Sequence, residues 1–192
     1  MSPPRRILPG MDTLASLLSR PGFAEDYQAL ARVSLDPKRH TSDNGLTHAV
    51  AVASRARSLG RANHRSEEEC ALLELLGHVH DLGKIGGTTH AADSVTLLSK
   101  HGVTDTRLLD FVKYHDTNLS WFLASRRGGA PGDGAWRKLA ARVDPTLLAI
   151  FMVADRVDCP GGHRENPPLV WFLEELRRRG LIGPLVLDVE ES

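Results

Sequence analysis

The most chemically loaded stretch of the chain is His80-Asp81-Leu82-Gly83-Lys84, which follows the apolar run from Leu72 to Val79. Neighbouring helical residues point about 100° apart, so His80 and Asp81 can share a cation only where the backbone leaves the helix. Gly83 supplies that exit. A carboxylate at a buried helix end must be paired or bound to a cation, which makes metal ligation the chemistry in question. His48 lies on a small-residue face between Thr47 and Ala49, and Asp155 ends the apolar run Leu147 to Ala154, where a charge needs the same kind of partner. Together His48, His80, Asp81 and Asp155 form an imidazole-and-carboxylate set suited to one divalent transition metal. His90 and His115, each on a segment with an apolar face, are two further ligand candidates. If Asp81 bridges, they complete a second metal position.

Helical periodicity must position these residues, because alternating polar and apolar runs are nearly missing. Asp12 can cap a short helix through Arg20, and a second runs from about Ala24 to Ser34. Gly45 to Leu59 carries an apolar face of Leu46, Ala49, Val50, Ala53 and Ala56. Ser66 with Glu67, Glu68 and Glu69 opens the helix that leads to His80. Further helices are expected from Thr88 or Thr89 to Gly102, from Thr104 or Asp105 toward His115, and from Asn118 to Arg126. After the glycine-rich loop 128–134 come Ala135 to Val143, Pro145 to Val157, and a last helix from Pro167 to Arg179. Only Leu181 to Val189 has strand-like content.

The chain has 192 residues, with 24 Lys and Arg against 24 Asp and Glu, 41% hydrophobic and 25% charged. That composition fits one globular domain. The zero charge balance excludes a global field that would draw the chain to long nucleic acid or to an anionic membrane. Apolar stretches of about eight residues are far short of the roughly twenty of a membrane span, and the N-terminus does not read as a secretory signal. Two cysteines, Cys70 and Cys159, without metal or redox spacing point to a reducing cytoplasm. Cys159 has no base partner in the motif, so it is not read as a nucleophile. His40, His64 and His101, each beside a basic residue, read as surface; His78 reads as packed or hydrogen-bonded.

The ordered set His48, His80-Asp81, His90, His115, Asp155 resembles the two-metal pattern of the HD-domain superfamily of metal-dependent phosphohydrolases, and Val153-Ala-Asp-Arg-Val-Asp158 resembles its last-ligand segment. The resemblance covers about Thr47 to Asp158. It implies an all-α fold, a single HD-like helical bundle around the metal site with 45–160 as the core; the helical pattern of the flanks, which the resemblance does not cover, reads as a helical extension over 1–44 and a helix and tail packed on the core over 161–192. It also implies a pair of divalent ions, Fe, Mn, Co, Ni or Zn, and hydrolytic attack on phosphorus. Lys84 is then placed to meet a phosphate oxygen beside the catalytic Asp81. Arg156, Arg164 and Trp121 are candidates to hold the substrate, and Asp116 and Asp158 to orient ligand imidazoles or a water. Arg126-Arg127 and the glycine loop offer a basic rim and lid.

The expected substrate is a small phosphoester, with a nucleotide or nucleoside monophosphate leading on family habit. An HD-type di-iron oxygenase that cleaves a C–P or C–C bond shares these ligands and is the alternative; a non-catalytic nucleotide-binding domain would need a broken ligand set.

Overall fold

A computed structural model describes residues 12–189, and among these the protein is helical with no strand. The helices are α1 (Leu14–Leu18), α2 (Phe23–Ala29), α3 (Gly45–Ala62), α4 (Glu67–Val79), α5 (Ala91–Lys100), α6 (Thr106–Tyr114), α7 (Thr117–Arg126), α8 (Asp133–Ala140), α9 (Pro145–Ala154) and α10 (Pro167–Arg178). None is long and apolar enough to cross a membrane.

Local chemistry sets the starts. The Asn44 side chain accepts the Leu46 and Thr47 amides and opens α3, while Ser66 and Glu69 close a reciprocal box at α4. Asp144 and Asn166 cap α9 and α10, each with proline in the first turn. At the N-terminal end Thr13, rather than Asp12, caps α1, and Asp12 pairs with Arg20.

Every residue of α9 from Leu147 to Ala154 is buried, as befits a helix that is hydrophobic all round. It lies against α3 and α4, which form the most extensive helix pair. They approach most closely at Gly77, where a Cβ would overlap the Ala53 backbone. Leu17, Phe23 and Leu30 from the N-terminal segment, and Leu169, Phe172 and Leu176 from α10, join the same hydrophobic core. The parts of the expected extension that lie in 1–11, and residues 190–192 of the tail, fall outside the described residues.

Several boundaries differ from the sequence reading, and four features of the chain path have a clear physical reason. A 3₁₀ turn at Leu82–Gly86 follows α4, because Gly83 sits so close to the start of α5 that a Cβ would stand 2.5 Å from the Ser94 amide nitrogen. Helix α5 begins at Ala91 with His90 as its N-cap, Thr88 being tied instead to Asp93 through its hydroxyl, 2.6 Å. Helix α9 stops at Ala154, where the polar run Asp155 to Asp158 turns away. The strand-like tail 181–189 forms no ladder, since no second extended segment lies beside it. Asn63, the C-cap of α3, takes the partner's part, accepting from the Val186 amide at 2.8 Å and donating to its carbonyl at 2.7 Å.

His101 departs from the surface reading: its ring stands edge-on to Phe23 and bonds Asp26 at 2.8 Å. His64 is exposed, and His78 meets the Tyr27 hydroxyl at 2.7 Å.

Candidate metal centre

Three helices end at one place. His80 is the C-cap of α4, His115 of α6 and Asp155 of α9. Helix C-termini carry partial negative charge, so their convergence with two carboxylates makes a focus for a cation. His48 joins from α3, one turn past the Asn44 cap.

The imidazoles are oriented from behind. His80 Nδ1–H donates to the Gly77 carbonyl at 3.0 Å, and His115 Nδ1–H to the Val112 carbonyl at 2.6 Å. His48 Nδ1–H donates to Asp158 Oδ2 at 2.9 Å. These acceptors assign the tautomers, and they turn all three Nε2 atoms toward carboxylate oxygens. His48 and His80 Nε2 each lie 3.2 Å from Asp155 Oδ1, and His80 Nε2 lies 3.2 Å from Asp81 Oδ2. His48 is 3.8 Å from Asp81 Oδ2, and His115 is 3.8 Å from Asp81 Oδ1.

A neutral imidazole already donating from Nδ1 has only a lone pair at Nε2, and lone pairs facing carboxylates repel unless positive charge lies between them. His80 Nε2 is buried with no hydrogen-bond partner. The pKa shifts say the same. Burial opposes charge on His80, but Asp81 and Asp155 outweigh it and raise its pKa to about 10. Burial also opposes ionisation of Asp81 and Asp155, yet His80 and Lys84 hold the first, and Arg156 and His48 the second, well below the ordinary carboxylate range. His115, buried and beside His80, is pushed down. The cluster therefore keeps its carboxylates ionised and attracts one positive charge to its centre. Ligand atoms of His48, His80 and Asp81 lie within 4.8 Å of one another, and with Asp155 the donor set suits a divalent transition metal.

Two cations flank the carboxylates. Lys84 Nζ pairs with Asp81 Oδ2, and Arg156 with Asp155 Oδ2. Lys84 keeps 24% of its side chain exposed against 13% for Asp81, so it is reachable from solvent.

Other residues singled out in the sequence lie elsewhere. His90 is exposed at the start of α5, with no cluster carboxylate within ion-pairing distance. Its helix begins after it rather than before it, which takes it off the inner face. Asp116 is exposed and makes no capping bond; the work expected of it falls to the Val112 carbonyl. Trp121 stands edge-on to Trp136, ring centroids 4.6 Å apart, and also meets Phe172, so its ring serves the packing of α7, α8 and α10. Arg164 pairs with Asp188 at 2.6 Å. Gly128 to Ala130 form an exposed connection between α7 and α8.

His40 is a residue the sequence reading missed. It bonds Asp158 Oδ1 at 3.3 Å with 13% of its side chain exposed. Its neighbour Arg39 suggested a surface turn, and nothing local signals that the loop 33–44 folds back on Asp158.

Residues 45–159, more than half of the chain, match the family model of the HD domain. The protein belongs to the HD-domain family, a superfamily of metal-dependent hydrolases whose members are generally phosphohydrolases. No curated protein and no solved structure matches it.

Proposed function

We propose that the protein hydrolyses a small phosphoester, with a nucleotide or nucleoside monophosphate as the leading substrate class, in a cytoplasmic setting. The observation that supports this most is Lys84: a partly exposed ammonium fixed on Asp81, one short turn from the ligand pair. A fixed cation beside a metal centre suits the oxygens of a phosphoryl group.

The residues that would hold the tightly bound ion are His48, His80, Asp81 and Asp155. His115 and Asp81 offer a second position with only two protein ligands, hence a weaker one. A divalent cation bound there supplies Lewis acidity and lowers the pKa of a water, so that hydroxide is available near neutral pH.

The chain's own residues do the rest. Arg156 engages Asp155 Oδ2 and leaves Oδ1 directed to the imidazoles. Asp158 and the Gly77 and Val112 carbonyls hold protons at Nδ1, so that each Nε2 presents a lone pair inward. Lys84 meets phosphoryl charge and balances Asp81. Elemental analysis of the purified protein, then phosphate release across nucleotides and sugar phosphates with Mn, Fe, Co, Ni and Zn in turn, tests the reading. Release by the wild type and none by Asp81→Ala is expected. A metal-loaded protein that releases no phosphate from any ester, or turns over only with dioxygen, overturns it.

A further inference from the structure

Asp155 gives one oxygen to the imidazoles and the other to Arg156, and Arg156 also lines a cavity of about 340 Å³. That volume reaches the range of small-ligand sites, which begins at about 300 Å³. Three arginines line it from three separate places in the chain: Arg55 from α3, Arg156 just after α9, and Arg164 from the turn that follows. Val153 and Val157 supply apolar wall. Gly162, with φ of +58°, supplies backbone wall, and a side chain there would project into open space.

The described partners of these arginines leave the cavity cationic. Arg55 donates to the Val189 carbonyl, which carries no charge. Arg156 is balanced by Asp155, and Arg164 by Asp188. Both members of the last pair line the cavity, with side chains 74% and 57% exposed. Exposed ion pairs are weak, so Asp188 is an anion that an incoming one can displace. A planar carboxylate offers two oxygens to one fork, whereas a tetrahedral phosphate offers three or more to forks arriving from several directions.

We propose that this cavity binds the phosphate group of a small molecule, at a position distinct from the metal-facing oxygens of the candidate centre. The pocket does not depend on what reaction that centre performs.

The test uses the full chain freed of metal by chelation, so that metal-bound phosphate does not contribute. Inorganic phosphate is titrated while backbone amide resonances are followed. The amides of Gly161, Gly162 and His163 shift together, and Arg55→Gln with Arg164→Gln weakens the apparent affinity by tenfold or more, as loss of charge-assisted contacts requires. Shifts confined to the ends of α4 and α6, or an affinity unchanged in the double variant, overturn the proposal. A circular dichroism spectrum identical to the wild type's guards against misfolding. In metal-loaded protein the same variant separates two sources. A selective fall in kcat/KM for bisphosphorylated over monophosphorylated esters assigns the pocket to a second phosphate of the substrate. An unchanged ratio, with phosphate binding still lost, assigns it to a separate phosphate-bearing ligand.

Discussion

His48 and Asp158 are 110 residues apart in the chain, and Nδ1 of one lies 2.9 Å from Oδ2 of the other. The bond decides which nitrogen of His48 carries the proton, and so whether Nε2 faces the cluster as a lone pair. Asp158→Asn keeps the shape but removes the charge that fixes this tautomer. Metal affinity is expected to fall by about 10- to 100-fold with secondary structure unchanged, as read by calorimetric titration with Mn²⁺ or Co²⁺. An unchanged affinity would show that His48 is oriented by other contacts.

Metal stoichiometry separates His80 from His90, both of which the sequence offers as ligand candidates. After dialysis the protein is expected to retain about one ion per chain. His90→Ala leaves that content unaltered, whereas His80→Ala removes it. If elemental analysis gives two ions and His90→Ala loses one, the exposed side chain at the start of α5 must move inward in solution.

Added metal is also expected to stabilise the fold, since an ion that binds only the folded state adds about 2.7 kcal/mol at a hundredfold excess over its dissociation constant. Differential scanning calorimetry with and without Co²⁺ reads the shift in Tm. Asp81→Asn should abolish the shift; persistence of the full shift in that variant would place the ion elsewhere.

Gly77 tests the packing that brings α4 to the site. A methyl group there meets the Ala53 backbone, and neither helix can yield without moving its neighbours. Gly77→Ala is expected to cost about 3 kcal/mol, a fall in Tm of roughly 6–12 °C for a chain of this size. A Tm within a degree of wild type would mean that α3 and α4 are less closely apposed.

Tyr27 carries a pH dependence that does not involve the metal. Burial raises its pKa from 10.0 to about 12, so folding favours the neutral phenol that bonds His78. This contribution is complete below pH 10 and is lost as pH rises through 12. Between those limits the wild type should lose stability faster than Tyr27→Phe, and ultraviolet titration should show a late ionisation, near pH 12, that Tyr27→Phe removes. A titration curve whose late part is unchanged in that variant would remove the effect.

What could be read in the sequence follows from the physics of each position. Asp155 at the end of an all-apolar helix and His80-Asp81 before Gly83 announce themselves, because polar groups in such places need a partner whatever the rest of the chain does. Ser66 and Pro145 mark helix starts for equally local reasons. His90 was misplaced because its role turned on which residue of a Thr-Thr-His run begins α5, and the Thr88 to Asp93 bond that settles this is not a strong pattern. Trp121 could hold a substrate or pack in the core; only the arrival of α8 and α10 decides. His40 was invisible because a loop fold, rather than a periodicity, carries it to Asp158.

That loop also ties the chain to itself. The Thr41 amide donates to the Asp158 carbonyl at 2.7 Å, so the two boundaries of the 45–159 core are stitched together. A unit whose entry and exit adjoin tolerates insertion into other chains, and it tolerates new segments spliced on at either border. Here both borders open beside His48 and Asp155, two of the candidate ligands. Any lineage that lengthens or trims its flanks therefore edits the entrance to the candidate site while the helices that carry its side chains stay as they are.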